Sequence, residues 1–213
     1  QNPPTMMASV TASSVLLLTI TTCFVAARAY VKVCLTRKQY IEDYFSYVAW
    51  VLFCGGTSVF AAGAHAGLAR HLWDVPRAQM PSILKFIYAL FIVNFLCQLF
   101  AKLSILFQIK RIFTTRHREM LWWLTWGSIL FNIVCASGLV VITIFQCDPV
   151  QKSWYASLPG SCLPQTYKAH GGAIYNIVSD GGALLLPIIG VWNLQMDTRR
   201  KLGVVAIFGV GSI

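Results

Sequence analysis

Five polar side chains inside two long apolar stretches are the residues of this sequence that could do unusual chemistry. Asn94, Gln98 and Lys102 follow one another at intervals of four, which places them on one stripe of a helix. Asn176 and Asp180 have the same spacing in a later apolar stretch. Because a charge at mid-membrane costs about 2.5–3.5 kcal/mol on insertion scales, Lys102 and Asp180 need partners inside a protein. We therefore predict a polar core in which the two charges offset each other's burial.

A polar core of this kind has several uses. It could bind a ligand or relay an ion, and it could equally act as a latch that only fixes helix register. The competing interpretation is that Lys102 extends to the membrane interface while Asp180 pairs elsewhere. About 9 Å of depth separates the two predicted backbone positions, a distance that a lysine side chain and a bridging amide or water can span.

The amino-acid composition indicates whether these residues lie in a soluble protein or in a membrane protein. The 213 residues are 57% hydrophobic and 11% charged, with a mean hydropathy of +0.65, whereas about a quarter of a typical soluble domain is charged. This composition excludes a water-soluble globular protein. The net charge of +10 lies mainly between the apolar stretches, so it favours anionic lipid headgroups over nucleic acid as the partner.

Apolar stretches of about 20 residues predict transmembrane helices. We predict an all-α, polytopic transmembrane helical bundle that forms a single domain over residues 1–213. Its five full spans and the start of a sixth are expected at residues 6–27, 44–67, 86–109, 120–145, 169–194 and 202–213. The sequence begins without methionine and stops inside the sixth stretch, so we expect a fragment of a longer protein.

The distribution of basic residues predicts the orientation. Eleven Lys and Arg residues lie in the first, third and fifth connections, against five in the longer second and fourth connections. The positive-inside rule places the more basic connections in the cytoplasm and the N-terminus outside. The second and fourth connections are then exposed to an oxidising compartment.

Two of the seven cysteines flank the fourth connection. A disulfide between Cys147 and Cys162 is the favoured state in an oxidising compartment. By closing the loop between them, it would stabilise the folded protein by about 3 kcal/mol in the chain-entropy model. Two free thiols are the alternative, and Cys97 is the competing partner, although it lies deep in its own span.

Residues in several stretches form a pattern along most of the sequence: Arg28, Tyr30, Val31, Glu42 and Asp43; Gly67 to His71 with Trp73 and Pro76; Lys102 to Leu106 and Arg111 to Phe113; Cys147, Asp148, Pro149, Trp154, Gly160 and Cys162; and Asn176 to Asp180, Pro187, Leu194, Arg200 and Lys201. This pattern resembles that of the fungal rhodopsin-domain integral membrane proteins. The family resembles seven-span receptors, so the resemblance implies that residues 1–213 are a fragment of a seven-span domain. Some members look like surface sensors of pathogenic fungi, and others are encoded in secondary-metabolite gene clusters.

The resemblance implies a receptor-like sensor in the plasma membrane, with a small-molecule or peptide ligand and a cytoplasmic signalling partner. A proton-coupled or other secondary transporter, or a membrane accessory protein of a secondary-metabolite pathway, is the alternative. No catalytic triad, phosphate-binding loop or metal-binding motif occurs in the sequence, so we expect no enzymatic activity, metal or cofactor. Retinal would need a desolvated lysine for its Schiff base, and Lys102 is the visible candidate.

Overall fold

Five long helices form the bundle. The structure, a computed structural model, describes residues 7–68, 75–113, 119–155 and 157–192. In that part of the chain the helices are α1 (Met7–Tyr30), α2 (Ile41–Gly63), α3 (Met80–Phe113), α4 (Glu119–Ile144) and α5 (Gln165–Trp192). Each is long and apolar enough to cross a membrane. The prediction of an all-α membrane bundle is confirmed, while the expected sixth span at 202–213 and the matched residues within 69–74 and 193–213 lie outside the described residues.

The ends of the α2 helix differ from those of the predicted span, because local capping contacts determine where the helix begins and ends. The α2 helix begins at Ile41, because the Asp43 carboxylate accepts a hydrogen bond from the Tyr40 backbone N–H at 3.1 Å and lies in the positively polarised first turn. At its other end the helix is followed by one wide turn, Ala64–Leu68. The helical backbone breaks within this turn at Gly67, whose φ of 110° favours glycine. Glu42 and Asp43, placed in a connection by the sequence pattern, therefore belong to a helix.

The α3 helix is longer than the span at 86–109. It begins at Met80, so Pro81 occupies the first turn, where a missing N–H costs nothing. Its 34 residues extend about 51 Å at 1.5 Å each, well beyond a hydrocarbon core of about 30 Å. The apolar pattern located the membrane crossing and not the helix ends.

The α3 helix is the centre of the bundle. It packs against α2, α4 and α5, whereas α1 packs against α2. The buried core joins α3, α4 and α5 and consists of Leu103, Leu106, Ile109, Ile129 and Leu186. Large apolar side chains on the outer faces, such as Phe24, Leu130 and Ile177, are exposed, as expected for surfaces that contact lipid.

A disulfide-bonded loop closes one end of the bundle, which we call the disulfide end. Cys147 bonds to Cys162, as predicted, and the short strands β1 (Cys147–Asp148) and β2 (Ser161–Cys162) pair antiparallel around the bond. Cys97, the competing partner, is a free thiol that donates to the Ala49 carbonyl at 3.4 Å. Gly160 has a φ of 149°, and a Cβ there would lie 2.2 Å from the Asp148 carbonyl oxygen, so the turn requires glycine.

Candidate functional site

Lys102 and Asp180 form an ion pair between α3 and α5. Lys102 Nζ lies 3.0 Å from Asp180 Oδ1 and donates a hydrogen bond of 2.9 Å to Asn176 Oδ1. The ammonium also lies 4.6 Å from the centre of the Tyr175 ring, which attracts a cation. Tyr175, Asn176 and Asp180 of α5, which lie within two turns of the helix, therefore all contact a single charge from α3.

Burial differs between the two charges. The Lys102 side chain is 12% exposed, while that of Asp180 is 44% exposed. The lysine thus pairs inside the bundle instead of extending toward the membrane interface, and the aspartate lies at the edge of the described helices. The spacing that produces this site is simple, because Asn176 and Asp180 are one helical turn apart and face the same neighbour.

Asn94 and Gln98, the rest of the predicted polar stripe, are placed differently. They are not joined to the ion pair by a hydrogen bond in the described part of the chain; instead Gln98 Nε2 donates to Asn94 Oδ1 at 3.4 Å. The buried Gln98 Oε1 has no hydrogen-bond partner among the described residues. The structure therefore brings together Lys102, Asn176 and Asp180 and leaves the two amides as a separate pair.

A second polar cluster adjoins the ion pair and was missed from the sequence. Asn132 on α4 is 2% exposed, and its Oδ1 accepts hydrogen bonds from Tyr175 Oη at 3.0 Å and Ser179 Oγ at 2.5 Å. Since Tyr175 also contacts Lys102, polar contacts run without interruption from α3 through α5 to α4. The signal was available, because Asn132 is an amide within an apolar stretch, as Asn94 is.

A cavity of about 530 Å³ opens between α3, α4 and α5, toward the disulfide end. Its lining combines apolar and polar side chains: Phe91, Asn94, Phe95, Thr143, Gln165, Thr166, Lys168, Ala169, His170, Gly172, Ala173 and Asn176. Asn176 therefore lines the cavity and accepts a hydrogen bond from Lys102. Lys102 itself is not a lining residue, so the geometry does not favour it as the attachment point for retinal in this cavity.

Buried carboxylates at the opposite end, which we call the ion-pair end, join α1 to α2. Asp43 is 0% exposed and lies 2.9 Å from the Arg28 guanidinium and 3.7 Å from Lys32 Nζ. Arg28 Nη1 also donates to Gln108 Oε1 of α3 at 3.3 Å. One arginine thus connects three helices.

The adjacent carboxylate joins α2 to α3. Glu42 is 4% exposed, and its Oε1 accepts a hydrogen bond of 2.5 Å from Arg111 Nη1. Ser104 Oγ donates to the Glu42 carbonyl at 2.7 Å, and the Arg111 guanidinium lies 3.6 Å from the centre of the Tyr40 ring. Glu42, Ser104 and Arg111 were among the residues that carry the family resemblance, but the sequence gave no reason to pair them. In the described residues, no cluster of three His, Cys, Asp or Glu side chains is positioned to hold a metal.

Comparison with known proteins places the chain in a family. Residues 27–213 match the fungal rhodopsin domain. A SAT4 family membrane protein of Emericella nidulans is 40% identical over 110 residues, which cover 52% of this chain and 29% of that protein. Fugralins biosynthesis cluster protein 2 of Gibberella zeae is 28% identical over 204 residues, covering 90% of this chain and 49% of that protein.

A third relative gives a similar alignment. Wortmanamides biosynthesis cluster protein C of Talaromyces wortmannii is 28% identical over 198 residues, which cover 89% of this chain and 52% of that protein. The chain thus spans about half the length, or less, of these curated relatives. No solved structure matches significantly. Because the domain match extends over most of the sequence, this chain is an integral membrane protein of the fungal rhodopsin domain family.

Proposed function

We propose that the protein is a receptor-like sensor that binds a small molecule in the cavity between α3, α4 and α5. The observation that carries this proposal is the double role of Asn176, which lines the cavity and accepts a hydrogen bond from Lys102. A ligand that competes for the Asn176 amide would change the contacts of the buried ammonium. The packing of α3 against α5 would then differ between the free and bound states, which is what a sensor requires.

The dimensions and chemistry of the cavity support ligand binding. Its volume of about 530 Å³ falls within the roughly 300–1,000 Å³ typical of small-molecule sites. Aromatic rings such as Phe91 and Phe95 offer apolar contact area, while Asn94, Asn176 and Thr143 offer a few directional polar groups. This combination is typical of sites that orient a ligand by hydrogen bonds and bind it by apolar burial.

The same proposal assigns an orientation. The disulfide end, and with it the cavity, faces outside, where a disulfide persists. The ion-pair end carries Arg28, Lys32 and Arg111 and faces the cytoplasm, in keeping with the positive-inside rule. A plasma-membrane location and a signalling partner at the cytoplasmic end complete the sensor.

A membrane accessory protein of a biosynthetic pathway is the second candidate. It is supported by the names of the relatives, two of which are called biosynthesis cluster proteins for fugralins and for wortmanamides. Deleting the gene distinguishes the two candidates. An accessory role predicts loss of a metabolite under all growth conditions, whereas a sensor role predicts loss of a response only when the ligand is added.

A secondary transporter is a third candidate, since an intramembrane ion pair such as Lys102–Asp180 could also relay protons. Flux in proteoliposomes separates it from a sensor. A transporter predicts measurable flux that Asp180→Asn abolishes, and a sensor predicts no flux in either protein.

Ligand-dependent thermal stabilisation of the full chain in nanodiscs tests the sensor proposal directly. Ala173→Trp fills the cavity and should abolish stabilisation by any ligand. Val178→Trp is the matched control, because it introduces the same indole side chain on α5 at a position that is 53% exposed and does not line the cavity. If ligands stabilise Ala173→Trp as well as the unmodified protein, they bind elsewhere and the proposed site is wrong.

A further inference from the structure

Among the described residues, the wall of the cavity carries positive charge without an acidic counterpart. Lys168 and His170 line it, and none of the described lining residues is Asp or Glu. Lys168 is half-buried and takes part in none of the ion pairs in the described ranges. An ammonium group in such a position favours an anion from outside the protein.

The contacts of Lys168 leave room for that anion. Its Nζ donates to Gln146 Oε1, a neutral acceptor, and lies 5.8 Å from the centre of the Phe91 ring. A lysine ammonium has three donor hydrogens, so one amide oxygen leaves capacity for further acceptors. His170 is engaged differently, because its Nδ1 lies 2.7 Å from the Thr166 carbonyl of its own helix. Lys168 is therefore the charged group that is positioned to select a ligand.

Another part of the lining is apolar. The rings of Phe91 and Phe95 contribute to it, and a Cβ on Gly172 would lie 3.6 Å from Phe95 Cε1, in ordinary contact. Glycine at this position thus leaves a flat helix surface facing a ring. Such a surface suits a hydrocarbon or aromatic body and offers little to a fully polar ligand.

We propose that the ligand of this cavity is an anionic amphiphile, a small molecule with an apolar body and a carboxylate that pairs with Lys168. This inference rests on the proposed function, because it names the chemical class that the sensor site selects. A cationic ligand would meet the charge of Lys168 without a carboxylate to offset it. A neutral ligand would leave the half-buried ammonium with Gln146 alone.

A head-group library tests this assignment. The full chain in nanodiscs of neutral phosphatidylcholine is screened by thermal shift against several hundred apolar bodies, each supplied as the carboxylate, the methyl ester and the primary amine. We expect hits concentrated among carboxylates, with about tenfold tighter binding than their esters. Lys168→Gln should remove that preference, Lys168→Arg should keep it, and Lys152→Gln is the control, since Lys152 lies in the disulfide-end loop but does not line the cavity.

Each other outcome overturns a specific statement. Equal binding of acids and esters, a preference for amines, or a carboxylate preference that survives Lys168→Gln contradicts the anionic class and leaves the sensor proposal intact. Lys168-dependent stabilisation by added phosphatidylglycerol in place of carboxylates identifies a lipid headgroup as the anion and overturns the small-molecule assignment. The absence of any hit, or hits that persist in Ala173→Trp, contradicts the proposed function itself.

Discussion

Asn132 on α4 accepts hydrogen bonds from two residues of α5 through one oxygen atom, and the closer of these is Ser179, whose Oγ lies 2.5 Å from Asn132 Oδ1. The second donor is the Tyr175 hydroxyl. Tyr175 in turn contacts the ammonium of Lys102 on α3. The buried amide of Asn132, which is 2% exposed, therefore contacts the candidate ion pair through Tyr175.

Replacing this amide should destabilise the bundle. We expect Asn132→Leu to lower the free energy of unfolding by about 1–3 kcal/mol, because two buried hydroxyl groups lose their acceptor. SDS titration of the purified protein measures the change. Ser128→Ala is the control. In the part of the chain that the structure describes, this hydroxyl donates to the Leu124 carbonyl of its own helix, so its loss should change stability little. Equal stability of Asn132→Leu and Ser128→Ala would show that the cluster does not hold α4 to α5.

The disulfide should contribute to stability through the loop that it closes. Replacing Cys147 and Cys162 together by serine should lower the free energy of unfolding by about 3 kcal/mol in the chain-entropy model. Cys34→Ser, at an exposed free thiol, is the control and should be neutral. Thermal unfolding under non-reducing conditions gives the comparison, and a double variant as stable as the parent protein would contradict the expectation.

The ion-pair end should be sensitive to loss of a single carboxylate. Asp43→Asn leaves Arg28 and Lys32 without their acidic partner, and because Asp43 is 0% exposed we expect a loss of about 3–5 kcal/mol. Asp148→Asn, at an exposed position in β1, removes the same charge and should cost little. Thermal unfolding of both variants in the same nanodiscs decides the matter, and a similar midpoint for the two would refute a structural role for the Asp43 cluster.

The features that could be predicted from the sequence are those that follow from the free energy of placing apolar or charged side chains in lipid. The membrane spans followed from apolar length, and the pairing of Lys102 with Asp180 followed from the cost of leaving either charge in lipid. The helix ends did not follow, because they depend on local contacts such as that of Asp43 with the Tyr40 backbone N–H. Apolar length reports where the membrane is and says nothing about capping.

The site was predicted only in part for a similar reason. Lys102 and Asp180 are charged, and their need for a partner is visible in the sequence. Asn132 and Lys168 owe their importance to what surrounds them. Asn132 receives two hydrogen bonds from another helix, and Lys168 lies in a cavity whose described lining contains no acidic side chain. Such surroundings depend on how the helices pack against one another. The spacing of residues within one helix does not reveal that packing.

The Lys102–Asp180 contact links the candidate site to the packing of α3 against α5, and a double-mutant cycle tests this contact most directly. The free energy of unfolding is measured by SDS titration for the parent protein, Lys102→Met, Asp180→Leu and the double variant. We predict an interaction energy of about 1–3 kcal/mol, with the double variant more stable than the sum of the single effects allows. Additive effects of the two substitutions would contradict the ion pair, and with it the coupling of the cavity to the packing of α3 against α5.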